Sequence, residues 1–330
     1  MTRLRLLVLA VFFASNSILS ARQFAIQQLP AQPLATSPQD DSMFNLKTPT
    51  LGGKQFWTDH VWRRGWRVQH NAFTGHWRLL NDSNVRYAWG TKEQCQATLD
   101  ENVPDKSIPA TEAIVLLHGL MRSSSSMRPV GDFVSNQLQI QPIYFEYAST
   151  RSSISDHAAA LAEFVDSLPA NLSLNFVGHS MGNIVVRHYL GDLTRAGQHE
   201  KLARVKSVVM LGPPNQGASI ARQLAKTGVF GWIAGKGGLE LGPGWEEFHK
   251  HLATPACPFG IVSGKLPDST LSNPLVDGDG DFVVSLEETQ LDGAADTLAV
   301  PRLHSFLMDA PEVQAATANF IRSRGRFENQ

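Results

Sequence analysis

The segment GHSMG at residues 178–182 places a serine between two glycines, where the sequence pattern changes from strand to helix. The run LSLNFV before it is apolar and typical of a buried strand, and the run after it has apolar residues at helical spacing. A serine hydroxyl becomes a nucleophile when a base removes its proton, and a sharp strand-to-helix turn lifts it clear of the sheet. Gly178 and Gly182 relieve the crowding in such a turn, and the N–H groups that begin the helix favour a developing anion. The pattern predicts a nucleophilic Ser180, and the alternative is an ordinary glycine-flanked turn.

The elements around this turn alternate between apolar strand-like runs and helical patterns. The predicted strands are EAIVLLHG, QPIYFEYAS, LSLNFVG, VKSVVMLGPP, CPFGIVSG and DTLAVPRLHS. The predicted helices are SISDHAAALAEFVDSLP, capped by Ser153 or Ser155, then MGNIVVRHYLGDL and APEVQAATANFIRSR. Near-continuous apolar strands separated by helices predict an α/β fold, with a mostly parallel sheet and helices on both faces.

From about Ala113 to Arg322 these motifs together resemble the α/β-hydrolase superfamily, within its lipase and esterase branch. LLHGL resembles the oxyanion loop that follows an early strand, and GHSMG resembles the nucleophile elbow. LGPPNQGASIA resembles the segment after the next strand, and DGDGDFVVS and RLHSF resemble the acid and histidine loops. The order Ser180, then an aspartate, then His304 matches the family order.

The resemblance implies a site for each catalytic role. His304 stands between a strand-like run and the final helix, where the family has its base, and Asp281 would hold its imidazole. The oxyanion donors would be the backbone N–H groups of Met181, directly after the serine, and Leu120, directly after HG. His118 and His179 lie inside these motifs, and we assign both a structural role.

The acid motif departs from the family pattern Asp-Gly-x-Val. This chain has Asp281 followed by FVV, so Asp279 stays an alternative acid. The stretch also fits a second pattern, since Asp277, Asp279, Asp281 and Glu288 fall at positions 1, 3, 5 and 12 of a calcium-binding loop. Position 6 of such a loop is a glycine at a sharp turn, whereas this chain has Phe282, whose bulk resists positive φ. The sequence therefore favours a catalytic acid over a metal site.

A glycine-rich stretch between LGPPNQGASIARQLA and CPFG is the predicted cover of the site. It contains Phe230, Trp232, Ile233 and Trp245, and insertions after sheet strands cover the site in the resembling fold. The sequence leaves two interpretations of this stretch: an apolar flap over an acyl chain, or a surface loop with its own packing.

The chain before the catalytic segment divides into three parts. Residues 1–21 have the basic, apolar and small-residue layout of a signal peptide for export to the periplasm or outside, and an uncleaved anchor is the alternative. Residues 22–54 have the composition of a flexible tether. Residues 55–110 hold five of the seven tryptophans, and WRVQH, HWRLL and VRYAW predict a β-meander, followed by a helix capped by Thr91. We interpret this segment as packed on the 111–330 catalytic domain rather than as a ligand or nucleic-acid surface.

The charge balance and the number of cysteines give further indications of the function. The 29 Lys and Arg residues nearly balance the 30 Asp and Glu residues, so nothing indicates a nucleic-acid partner. The two cysteines, Cys95 and Cys257, could form a disulfide or stay free thiols. We predict a cofactor-independent serine hydrolase that cleaves carboxylic esters of small molecules or lipids, with transient contact to a lipid surface left open. The alternatives are an acyltransferase, a thioesterase or amidase on the same site, or a binding module without catalysis.

Overall fold

The computed structural model describes residues 47–50, 52–53, 55–104, 110–225, 230–266, 276 and 279–328. The predicted signal peptide, most of the predicted tether and Asp277 lie outside these residues. Lys47–Gln330 form one compact unit.

A small antiparallel sheet comes first among the described residues. Its strands are β1 (Thr48–Pro49), β2 (Trp57–Arg63), β3 (Trp66–Asn71), β4 (Trp77–Leu80) and β5 (Val85–Gly90). Their spatial order is β1-β5-β4-β3-β2. The three predicted strands are confirmed as β3, β4 and β5, whereas β1 and β2 were not predicted.

Helix α1 (Lys92–Asn102) closes one face of this sheet. Thr91 caps it as predicted, because its side chain accepts the N–H of Gln94 while the Gln94 side chain accepts the N–H of Thr91. Cys95 and Leu99 of α1 are fully buried in the apolar cluster of the small sheet. Cys95 and Cys257 are both free thiols, and burial raises the pKa of Cys95 to about 12.

The end of the predicted tether belongs to the small sheet, so its boundary at residue 54 was wrong. Thr48 and Pro49 pair with Arg86 and Val85 of β5. The Thr50 N–H donates to the Asn84 carbonyl at 3.0 Å. A proline is tolerated here because β1 is an edge strand, where one side of the backbone needs no ladder partner.

The second sheet is parallel throughout. Its strands are β6 (Glu112–Leu117), β7 (Gln141–Phe145), β8 (Ser173–His179), β9 (Val205–Leu211), β10 (Phe259–Gly264) and β11 (Asp296–Val300). The spatial order is β11-β10-β9-β8-β6-β7. The six strands fall within the predicted runs, except that β8 extends one residue further to His179, and most of their residues are buried except in β7 and β11.

Helices cover both faces of the parallel sheet. They are α2 (Arg128–Leu138), α3 (Ile154–Asp166), α4 (Met181–Arg195), α5 (His199–Ala203), α6 (Ser219–Ala225), α7 (Phe230–Glu240), α8 (Trp245–Phe248), α9 (Leu286–Thr289) and α10 (Pro311–Ser323). Phe176 of β8 faces Tyr189 of α4, with ring centroids 6.0 Å apart. The next residue, Val177, packs in the opposite cluster with Phe320 of α10. Successive side chains of β8 thus point to opposite faces of the sheet, one towards α4 and the next towards α10.

The small sheet contacts the main sheet beyond the end of β7 and along α3. The Asp59 N–H of β2 donates to the Glu146 carbonyl at 2.9 Å, and the Trp62 N–H donates to Ser167 Oγ at 2.9 Å. Within the described ranges, no helix combines the length and apolar character needed to cross a membrane.

Candidate active site

Ser180 occupies the turn between β8 and α4 with φ +52° and ψ −125°. This backbone conformation is disfavoured for a residue with a side chain, and it is the strain typical of a nucleophile elbow. The neighbouring glycines are required by their surroundings. A Cβ on Gly178 would lie 2.8 Å from the backbone nitrogen of Asn183, and one on Gly182 would lie 2.7 Å from the carbonyl oxygen of His118. The turn therefore forms as predicted, with glycine at the two positions, 178 and 182, where a side chain would not fit.

His304 and Asp281 form a buried pair. His304 Nδ1 lies 2.6 Å from Asp281 Oδ2, and the His304 N–H donates to the Asp281 carbonyl at 3.0 Å. Both side chains are almost fully buried. The carboxylate can thus fix the tautomer in which Nδ1 carries the proton and Nε2 is free to accept one.

Contacts of neighbouring residues place this pair beside the elbow. His179 Nε2 lies 3.0 Å from the His304 carbonyl oxygen, and the Ser180 N–H donates to the Leu211 carbonyl at 2.9 Å. A Cβ on Gly212 would lie 2.9 Å from His304 Nδ1. Gly212 was missed by the sequence analysis, although a glycine directly after the apolar β9 run was its visible signal. His304 Nε2 is buried without a hydrogen-bond partner among the described residues, and so makes no direct bond to the Ser180 hydroxyl.

Both oxygens of the Asp281 carboxylate have partners within the protein. While Oδ2 faces His304, Oδ1 accepts the N–H groups of Val283 at 3.1 Å and Val284 at 2.8 Å. These bonds hold Phe282 at φ +82°, a conformation that the sequence analysis expected a bulky residue to resist. The structure thus places Asp281, and not Asp279, against His304.

Two other carboxylates of the suggested calcium loop also have protein partners. Asp279 lies 3.2 Å from Lys265 Nζ, and Glu288 accepts the N–H groups of Ser219 and Ser285. In the part of the chain that the structure describes, no cluster of three or more His, Cys, Asp or Glu side chains could hold a metal ion.

The predicted oxyanion donors belong to two segments that adjoin Ser180. Met181 is the first residue of α4, so its N–H belongs to the first turn, where backbone donors have no partner within the helix. Leu120 lies in the loop after β6, and a Cβ on the preceding Gly119 would lie only 3.0 Å from Ser180 Cβ. This close approach brings the loop against the elbow, where a second N–H could reach a developing oxyanion.

The two histidines next to these donors are buried. His118 Nδ1 lies 2.9 Å from the Gly119 carbonyl oxygen, and its ring stacks on Tyr147 with centroids 4.2 Å apart. Burial is the main cause that lowers the pKa of His179 well below its ordinary value. A neutral His179 adds no positive charge beside Ser180.

The glycine-rich stretch packs closely on the site. In α7, a Cβ on Gly237 would lie 3.1 Å from Met181 Sδ. Gly235 has φ +64°, and a Cβ there would lie 1.9 Å from the Thr150 carbonyl oxygen. Trp245 of α8 is buried against Gly217. The side chains of Phe230, Trp232 and Ile233 lie outside the described residues, so the flap over an acyl chain stays a prediction.

One solved structure matches this architecture at a TM-score of 0.50. No family model matches the sequence, and no curated protein does. The crystal structure of the mature Bacillus licheniformis lipase BlEst2 matches with a TM-score of 0.50 and 18% identity, over 66% of this chain and 94% of that chain. The metagenomic carboxyl esterase MGS0156 matches with a TM-score of 0.47 and 17% identity, over 62% of this chain and 68% of that chain. The match to BlEst2 confirms the fold class predicted from the sequence: this chain has an α/β-hydrolase fold.

Proposed function

We propose that this protein is a serine hydrolase that cleaves carboxylic esters through an acyl-enzyme. The observation that carries the proposal is the pairing of His304 with Asp281 beside the strained Ser180 turn. BlEst2, which is named a lipase, has a similar fold, and this supports ester hydrolysis by this chain. A triad is recognised by its geometry and roles, and here each role has a residue of the right type.

In the proposed reaction, Ser180 Oγ attacks the ester carbonyl carbon while His304 Nε2 takes its proton. Asp281 stabilises the imidazolium that forms, and the N–H groups of Leu120 and Met181 stabilise the oxyanion. The C–O bond to the alcohol then breaks, and His304 returns the proton to the leaving alkoxide. Water attacks the acyl-enzyme by the same route and releases the acid.

The first prediction tests the nucleophile. Ser180→Ala should keep the fold and lower the esterase kcat by about 10⁶, because the triad acts as a unit and residual catalysis comes from the oxyanion donors and binding. The measurement is hydrolysis of nitrophenyl esters from acetate to palmitate, which also reports the preferred acyl length. Ser173→Ala, at the beginning of the same strand, is the matched control and should keep parental activity.

Covalent labelling gives an independent result. A fluorophosphonate should label the parent at Ser180 and leave Ser180→Ala unlabelled, because the reaction needs an activated hydroxyl. An unlabelled parent, or a Ser180→Ala variant with parental activity, would overturn the proposal. Weighing the products with added alcohol distinguishes hydrolysis from acyl transfer.

A further inference from the structure

The loop that carries Leu120 is a tight turn in a disfavoured conformation. The Arg122 N–H donates to the Gly119 carbonyl at 3.2 Å and closes the turn. Met121 has φ +61°, at the position where a type II turn favours glycine. A side chain in this region persists only where surrounding contacts hold it. The direction of the neighbouring Leu120 N–H therefore depends on what fixes this turn.

Two side chains outside the loop fix it. The Met121 N–H donates to Ser149 Oγ at 3.0 Å, and Ser149 Oγ in turn donates to Gln55 Oε1 at 3.1 Å. The Thr150 hydroxyl donates to the same Gln55 oxygen at 3.1 Å, while Gln55 Nε2 donates to the Arg122 carbonyl. The Gln55 amide thus uses both acceptor positions and one donor to join the loop to the segment after β7.

The position of Gln55 is set by the small sheet. Gln55 lies in the turn that leads into β2, and the Phe56 N–H closes this turn on the Gly53 carbonyl at 3.2 Å. Along β2, Thr58 Oγ1 accepts the Ala148 N–H at 3.1 Å, and Asp59 Oδ2 accepts the Glu146 N–H at 2.8 Å. The small sheet and the segment that carries Ser149 therefore form one hydrogen-bonded support.

We propose that Gln55 is a positioning residue for the oxyanion hole. It acts through Ser149 and Arg122 to hold the turn that directs the Leu120 N–H at the reacting carbonyl. The small sheet then has a role in catalysis, because it delivers this side chain. The inference rests on the proposed esterase function and adds a residue that contacts neither substrate nor Ser180.

The test compares kcat with KM in Gln55→Ala. We expect kcat for nitrophenyl esters to fall about 10- to 100-fold with KM within about threefold, because a misdirected donor costs transition-state and not ground-state binding. Affinity for an alkyl boronic acid, which forms a tetrahedral adduct on the serine, should fall in parallel with kcat. If Gln55 only joined the two sheets, Gln55→Ala would lower stability and leave both kcat and KM unchanged.

Ser167→Ala is the matched control, because it removes another hydrogen bond between the small sheet and the main domain, at the Trp62 N–H. It should keep parental kcat. Ser149→Ala removes the acceptor of the Met121 N–H with Gln55 intact and should reproduce the loss of kcat. If Gln55→Ala does not fold, Ser149→Ala decides the outcome.

The results separate this inference from the proposed function. A parent without esterase activity or serine labelling would overturn both. If the parent is active and the kcat of folded Gln55→Ala or of Ser149→Ala equals that of the parent, the inference alone is overturned. Equal losses in Ser167→Ala would also overturn it, because they would show a general effect of loosening the small sheet.

Discussion

At the scale of single residues, Asp281 shows how the backbone selects one carboxylate from several. Its Oδ1 accepts two N–H groups of its own turn, which leaves Oδ2 directed at His304 Nδ1. Asp279, two residues earlier, is half-exposed and pairs with Lys265. The two aspartates therefore differ in their surroundings although the sequence presents them alike.

This difference gives the second prediction. Asp281→Asn should lower kcat by about 10⁴ at neutral pH, because an amide N–H facing Nδ1 favours the tautomer in which Nε2 carries the proton. Asp279→Asn should stay within about tenfold of the parent, because a surface carboxylate paired with a lysine touches no reacting atom. Both are measured by nitrophenyl ester turnover in folded protein. The reverse order of losses would show that Asp279 orients the base.

The sequence was informative for residues whose roles leave a local pattern. Ser180 stands between glycines that close contacts require, and His304 follows a strand at a fixed place in the fold. Gln55 could not be predicted, because its partners Ser149 and Arg122 lie 94 and 67 residues away and neither spacing nor residue type marks them. Contacts of this kind arise only when two sheets are packed together.

At the scale of elements, α3 (Ile154–Asp166) carries a buried base under the segment that supports the oxyanion loop. His157 is almost fully buried, its ring centroid lies 4.7 Å from that of Tyr147, and its Nε2 has no hydrogen-bond partner among the described residues. Burial, together with the charge of His118, lowers the pKa of His157 to about 3. The helix therefore buries a neutral imidazole.

The third prediction concerns the acid stability that follows. Between pH 6.5 and about 3 the unfolded chain binds a proton at His157 and the folded chain does not. The free energy of unfolding of the parent therefore falls as pH falls through this range. The free energy of unfolding of His157→Leu, relative to the parent, should rise by about 1.4 kcal/mol per pH unit below 6.5. Urea titrations at pH 7, 6 and 5 measure it. The exposed His199→Leu is the control, and a flat difference for His157→Leu would contradict the assigned cause.

Among the elements, strands with continuous apolar runs were predictable and mixed ones were not. The buried parallel strands β6, β8 and β9 follow runs such as AIVLL and SVVML. The β2 sequence WTDHVWR mixes charged and aromatic residues and shows no clean alternation. It is a strand because its polar groups find partners: Asp59 accepts the Glu146 N–H across the interface and Gln69 Nε2 within the small sheet.

At the scale of the whole molecule, the two sheets share one hydrogen-bonded boundary. The first residues of the compact unit complete the small sheet at its edge: Thr48 pairs with Arg86, and the Gly52 carbonyl accepts Gln69 Nε2 at 3.1 Å. Gln69 in turn donates to the buried Asp59, whose carboxylate accepts the Glu146 N–H. A short edge segment is thus connected, through Gln69, to the support of the oxyanion loop.

The last prediction follows from this connection. A chain that begins at Lys47 should fold and keep parental esterase activity, because Lys47–Gln330 form one compact unit. A chain that begins at Gln55 loses the bonds of Thr50 and Gly52, each worth about 1 kcal/mol. Its thermal midpoint should fall by about 5 °C. Its kcat should also fall with KM little changed, because the Gly53 carbonyl no longer fixes the backbone beside Gln55. Equal midpoints and equal kcat in the two chains would show that the edge strand supports neither the small sheet nor the site, and an insoluble Lys47 chain would show that residues before it are needed for folding.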